Sequence, residues 1–164
     1  MNPKRVQPGS GQESVWDFPR PPRLEATARH IQIIAAGVTL ADTRRAFRVL
    51  ETSHPPVYYL PPADIRMEYL RAAPQSSWCE WKGRAAYYDV VIDSAELLQV
   101  AWTYTDPTPL FRAIKDYVAF YAGPMEGCFV DGERVKPQPG GFYGGWITSD
   151  IVGPFKGEPG TRDW

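Results

Sequence analysis

The chain has 164 residues, with 18 basic and 19 acidic side chains and a net charge of −1. This length suits one domain with a sizeable core. The balanced charge argues against a general binder of nucleic-acid backbones, which needs a basic surplus on one face. No apolar run reaches membrane-spanning length, and the polar start has no signal-peptide core. We therefore expect a cytoplasmic protein without nucleic-acid or membrane partners.

The two ends of the chain differ in composition from its middle. Residues 1–14 are polar and contain little to bury, so the sequence predicts a disordered arm there. Residues 15–136 carry the regular apolar patterns of a folded domain, whereas residues 137–164 are rich in glycine and proline. These patterns divide the chain into an arm, a domain and a C-terminal flap.

Alternating patterns within the domain predict strands. "IQIIAAGVTLAD" and "CFVDGERV" are typical of β-hairpins, the second around Asp131-Gly132. The stretches "GRAAYYDVVID" and "LLQVAWTYT" predict longer strands. One helix is predicted at 108–117, with Thr108 as N-cap and Pro109 in the first helical position. About eight short strands and one helix indicate a mainly β fold, with two sheets or an open barrel.

The stretch "ETSHPPVYYLPP" places Glu51, His54 and Tyr58 between proline pairs. A carboxylate near an imidazole can orient it or tune its pKa, so Glu51 and His54 are candidate catalytic residues. The alternative is that His54 caps a turn while Glu51 pairs with a nearby arginine.

A second candidate segment is "WCEWKGRAAYY", at residues 78–88. Here Lys82 could bind an anion and Trp81 could stack on a ring. Cys79 could be a nucleophile if a cation lowers its pKa, although a buried cysteine is more often core filling. Further along the chain, Trp102 and Tyr104 are predicted to share one face of a strand.

No metal or cofactor is predicted. Cys79 and Cys128, the two cysteines, make neither a disulfide framework nor a zinc site, and we expect both to be thiols. His30 and His54 lie on separate segments, and there is no CxxC pair, phosphate-binding loop or dinucleotide fingerprint.

From about Val15 to Val135 the chain resembles the family known as domain of unknown function number 427. The resemblance rests on four segments in the right order: "RVLETSHPPVYYLPPADI", "CEWKGRAAYYDV", "AWTYTDPTP" and "YVAFYAGPMEGCFVDGERV". It implies a β-tent-like pair of antiparallel sheets, as in methionine sulfoxide reductase B and the thalidomide-binding domain of cereblon. Within these segments the residues matching the family include Glu51, His54, Tyr58, Cys79, Trp81, Lys82, Trp102 and Tyr104.

Our leading hypothesis is therefore a small-molecule-binding domain. Glu51, His54 and Lys82 would supply its polar contacts, and Tyr58, Cys79 and the aromatic residues above would complete the pocket. The alternatives are a metal-independent acid-base enzyme, such as an isomerase, cyclase or hydrolase, that uses the same pocket, and a protein-interaction module.

The C-terminal flap should pack on the domain. Five large apolar side chains lie within residues 140–155, and burying each is worth about 1.5–3 kcal/mol. We further expect Trp146 to reach the pocket mouth, which would make the flap a lid. The alternative is that the flap covers an exposed sheet edge.

Overall fold

The computed structural model describes residues 3–164, so Met1 and Asn2 of the predicted disordered arm lie outside the described residues. The mainly β prediction is confirmed, because the chain folds into several antiparallel sheets with few helical turns and no barrel. The strands are β1 Glu13–Ser14, β2 Arg23–Thr27, β3 Ile31–Ala35, β4 Val38–Thr43, β5 Ala46–Leu50, β6 Val57–Tyr59, β7 Leu70–Cys79, β8 Gly83–Ile92, β9 Ala95–Tyr104, β10 Val118–Phe120, β11 Gly127–Val130, β12 Glu133–Arg134, β13 Lys136–Pro137, β14 Trp146–Ile147 and β15 Ile151–Val152.

Three antiparallel sheets form the body of the protein. Their strand orders are β10-β9-β8-β7, β12-β11-β3-β4 and β2-β5-β6. Both predicted hairpins are present, β3–β4 and β11–β12, and Asp131 and Gly132 adopt the positive φ angles that a tight hairpin turn requires. The first and third sheets meet where Leu60 and Val118 exchange main-chain hydrogen bonds of 2.9 Å.

The long sheet β7–β10 has an aromatic cluster on one face and the main core on the other. Alternation along β9 places Trp102 and Tyr104 in the same cluster, as predicted, and β8 adds Ala85 to it. Val90 of β8 packs instead into the main core, which also contains the apolar residues of β3 and β11. The candidate site forms on the aromatic face.

The helical turns are all short 3₁₀ segments: Val15–Asp17, Pro62–Asp64, Met67–Tyr69 and Pro109–Ile114. The helix predicted at 108–117 is therefore shorter than expected and kinked at Phe111. Thr108 does not cap it with its side chain, because the Thr108 hydroxyl donates instead to the main-chain oxygen of Trp81, at 2.6 Å.

The N-terminal segment makes defined contacts with the end of the chain. Glu13–Ser14 pairs in parallel with Ile151–Val152 as the ladder β1–β15. The amide of Val6 donates to the main-chain oxygen of Gly153 at 3.0 Å. The prediction of a disordered arm did not include these contacts. Their partner strand lies more than a hundred residues further along the chain, so no local sequence pattern reveals the pairing.

Candidate functional site

Seven of the eight predicted site residues line one cavity of about 320 Å³ on the aromatic face. They come from three separate parts of the chain: Glu51, His54, Cys79, Trp81, Lys82, Trp102 and Tyr104. The loop after β5 supplies the first two, the end of β7 and the β7–β8 turn supply the next three, and β9 supplies the last two. The cavity is at the small end of the range for small-molecule pockets.

Tyr58, the eighth predicted site residue, does not line this cavity. Successive residues of a strand face opposite sides, and β6 turns Tyr59 toward the pocket while Tyr58 packs on Trp146 in the main core. The Tyr58 hydroxyl is buried without a hydrogen-bond partner among the described residues. Tyr59 therefore takes the place that was predicted for Tyr58.

His54 is held in one orientation by the backbone. Its Nδ1 lies 2.9 Å from the main-chain oxygen of Thr52, and because a carbonyl can only accept, Nδ1 carries the proton. This leaves Nε2 as a lone-pair acceptor. Burial lowers the pKa of His54, and the Glu51 carboxylate, with Oε2 3.9 Å from Nδ1, offsets part of that effect. His54 is therefore neutral at pH 7.

The lowered pKa of His54 predicts a pH-dependent stability. Protons bind more readily to His54 in the unfolded chain, so the free energy of unfolding should fall as the pH drops below the unfolded pKa of about 6.5 and through the folded pKa. Burial is the main cause of this shift; the charge of Glu51 opposes it, and those of Lys156 and Arg20 add to it. Urea denaturation at about pH 7.5 and about pH 5.5 should show it.

His54→Asn should remove this part of the pH dependence, because an amide can donate to the Thr52 oxygen but does not titrate. The other histidine, His30, which pairs with Asp42 at 2.7 Å, is present in both proteins. The difference between their pH profiles therefore comes from position 54 alone. Equal pH dependence in the two proteins would contradict the burial argument.

The β7–β8 turn is anchored so that Lys82 points inward. The amide of Thr108 donates to the main-chain oxygen of Lys82 at 3.1 Å, and the Thr108 hydroxyl binds the oxygen of Trp81. The Lys82 Nζ lies 5.7 Å from the ring centre of Tyr104, which is a cation–π distance. Burial lowers the pKa of Lys82, but Cys79 and Glu51 raise it, and the pKa is raised overall. Lys82 is therefore an ammonium ion.

Two tyrosine hydroxyls lie beside this ammonium. The indole Nε1 of Trp102 donates to the Tyr59 hydroxyl at 3.2 Å. Burial raises the pKa of Tyr59 and of Tyr104, so both stay protonated and can donate hydrogen bonds. Lys82, Tyr59 and Tyr104 therefore present hydrogen-bond donors between the aromatic walls of the pocket.

The C-terminal segment, residues 137–164, supplies the remaining wall, through residues other than the Trp146 that the sequence analysis expected there. Its lining residues are Gln138, Phe142, Tyr143, Gly144 and Lys156. The hydroxyl of Tyr121 donates to the main-chain oxygen of Phe142 at 3.0 Å, and Gln138 binds the oxygen of Lys156 at 2.9 Å. The only sequence signal for this wall was the density of aromatic residues between glycines.

Trp146 does not reach the pocket mouth, so the predicted lid role of that residue was wrong. Its side chain is 1% exposed, and its Nε1 donates to the main-chain oxygen of Phe120 at 3.0 Å. Tyr143 occupies the position expected for Trp146, with its ring centre 5.0 Å from that of His54. The segment thus anchors through Trp146 and borders the pocket through Tyr143.

Residues 3–164 contain no group of three or more histidine, cysteine or acidic side chains placed to hold a metal ion. None of their helices is long and apolar enough to cross a membrane. Cys79 and Cys128 are both free thiols.

The fold and this site define a small, mainly β protein with a polar pocket between aromatic walls. Residues 23–131 match the family described as Domain of unknown function (DUF427), and the chain belongs to that family. A search of curated proteins found no significant match. The family match contains the predicted site residues and ends before the C-terminal segment, so the pocket combines family residues with a wall from outside the matched region.

Proposed function

We propose that this protein binds a small, ring-bearing molecule in the pocket on the aromatic face of the β7–β10 sheet. The observation that carries the proposal is the convergence of three distant segments on one cavity of about 320 Å³. Their functional groups are a neutral imidazole, an ammonium ion and two phenols, between tryptophan rings. Such a combination of apolar walls with a few placed polar groups is typical of small-molecule sites.

The aromatic walls explain the preference for a ring. The rings of Trp102 and Tyr121 have centres 4.7 Å apart, and Trp81 lines the same cavity. Flat aromatic surfaces stack on ligand rings and add about 0.5–1.5 kcal/mol beyond the area that they bury.

The test is a fragment screen followed by NMR of the tryptophan indole N–H signals. Neutral, anionic and cationic ring compounds are added to labelled protein, and the signals of Trp81 and Trp102 should shift. Trp146 is the internal control, because its indole is buried in the core and already bonded to Phe120. A screen in which no compound shifts Trp81 or Trp102, or in which Trp146 shifts as much, would reject the proposal.

A second candidate function is acid-base catalysis in the same pocket, and the state of His54 favours it. The Thr52 carbonyl fixes the tautomer, so Nε2 is available as a base, and Lys82 and Tyr104 could stabilise developing negative charge. A turnover assay on bound ligands separates the two functions. Loss of turnover in His54→Asn with unchanged affinity indicates catalysis, whereas no turnover in either protein indicates binding alone.

A further inference from the structure

Lys82 differs from the other cations in the interior of the protein. Arg48 is paired with Glu13 and Glu25 at 3.0 and 2.6 Å, and Arg29 with Asp131 and Asp150 at 2.9 and 2.8 Å. Within residues 3–164, in contrast, no carboxylate lies within 4 Å of the Lys82 Nζ. A largely buried ammonium at a pocket wall, without a carboxylate in direct contact, can bind an anion supplied from outside.

The groups around Lys82 are donors. The Tyr59 hydroxyl already accepts from Trp102, so its own proton remains to be donated. The Tyr104 side chain is only 4% exposed, and its hydroxyl interacts with that of Tyr59. An ammonium and two phenols thus converge in the lining of the same cavity.

The remaining charges of the pocket limit the charge of the ligand. Lys156 is already bound to the main-chain oxygen of Trp164 at 3.1 Å, and Arg20 to Glu51 at 3.4 Å. Glu51 and Glu80 both line the cavity and repel further negative charge. The cavity is thus lined by two ammonium ions, Lys82 and Lys156, and by two carboxylates, and this balance suits a monoanion better than a multiply charged phosphate ester.

We infer that the ligand is a ring-bearing monocarboxylate, whose carboxylate binds Lys82, Tyr59 and Tyr104 while its ring lies between Trp81 and Trp102. This inference rests on the proposed function and adds the chemical class of the ligand. The carboxylate accepts hydrogen bonds from these donors, and charged hydrogen bonds of this kind are the strong ones in proteins.

The test uses benzoate and its neutral isostere benzamide, titrated while the Trp102 indole signal is followed. Wild-type protein should bind benzoate at least about tenfold more tightly than benzamide, as expected for one charge-assisted contact. Lys82→Met should lower benzoate affinity by about tenfold or more and leave benzamide binding unchanged. Lys115→Met, which changes an exposed lysine outside the pocket, is the matched control and should bind both as the wild type does.

The outcomes separate this inference from the proposed function. Equal binding of the two probes to wild-type protein overturns the inference but leaves the proposed function intact, because a ring still binds. If Lys82→Met binds benzoate as tightly as the wild type does, the inference is likewise overturned and the proposed function is left intact. If neither probe shifts Trp102, the inference is wrong, and the wider fragment screen decides the proposed function. Because the benzoate-to-benzamide ratio is measured on wild-type protein, the test does not depend on the folding of a variant.

Discussion

Replacing Gly144 with alanine should destabilise the protein by about 1–3 kcal/mol or more and displace the C-terminal wall of the pocket. A Cβ at this position would overlap the Trp102 ring and lie 2.9 Å from its Cζ2 atom. Trp102 is held by Tyr59 and packed against Tyr121, so the ring cannot move aside. Urea denaturation measures the stability, and the Trp102 indole N–H signal reports the displacement.

Gly123→Ala is the matched control for this change. No atom lies within 4 Å of a Cβ built at Gly123, and its φ angle is not positive. Its free energy of unfolding should therefore change by less than about 1 kcal/mol. If Gly144→Ala is as stable as Gly123→Ala and keeps the wild-type Trp102 signal, then Gly144 does not make the close contact with Trp102.

Replacing Trp146 with alanine should cost about 3–5 kcal/mol, the range for removing a large buried aromatic side chain. The change leaves a cavity beside Tyr58 and removes the donor that binds the Phe120 oxygen. Since Trp146 is the main anchor of the C-terminal segment, protease cleavage within residues 137–145 should also become faster. Thermal denaturation and limited proteolysis measure the two effects.

Phe142→Ala, in the same segment, is the control. Phe142 is 75% exposed, so its truncation should change the free energy of unfolding by no more than about 0.5 kcal/mol. Similar losses in the two variants would show that the anchor is not Trp146 but is shared along the segment.

The sequence predicted strands well where they alternate regularly and poorly where they do not. Both hairpins and the long strands β8 and β9 follow their apolar patterns. β7 has no such pattern, because both faces of its outer half are exposed and Pro74 lies where the pairing with β8 shifts register. Its position depends on hydrogen bonding to β8, which no local pattern encodes.

The sequence predicted the lining residues that come from the domain but not those that come from the C-terminal segment. Glu51, His54 and Lys82 stood out because unusual residues lay close together in the sequence, and the fold brings them to one cavity. Gln138 and Lys156 lie in an irregular segment whose path depends on contacts with residues far away, such as Ser53, which accepts from the Lys156 amide at 2.9 Å. Strand β6 has only three residues, which is too short for an apolar pattern to show which of its faces is turned to the pocket. The sequence therefore does not tell that Tyr59, and not Tyr58, lines the cavity.

The wall formed by the C-terminal segment has a consequence for synthesis of the protein. When residues through Val130 have emerged from the ribosome, sheets β7–β10 and β3–β11 can form, but Gln138, Tyr143 and Lys156 are still missing from the pocket. At about 5–20 residues per second, the aromatic face then stays uncovered for a time on the order of seconds. The nascent chain therefore exposes an aggregation-prone aromatic face in this interval, and the pocket becomes complete only after Lys156 has emerged.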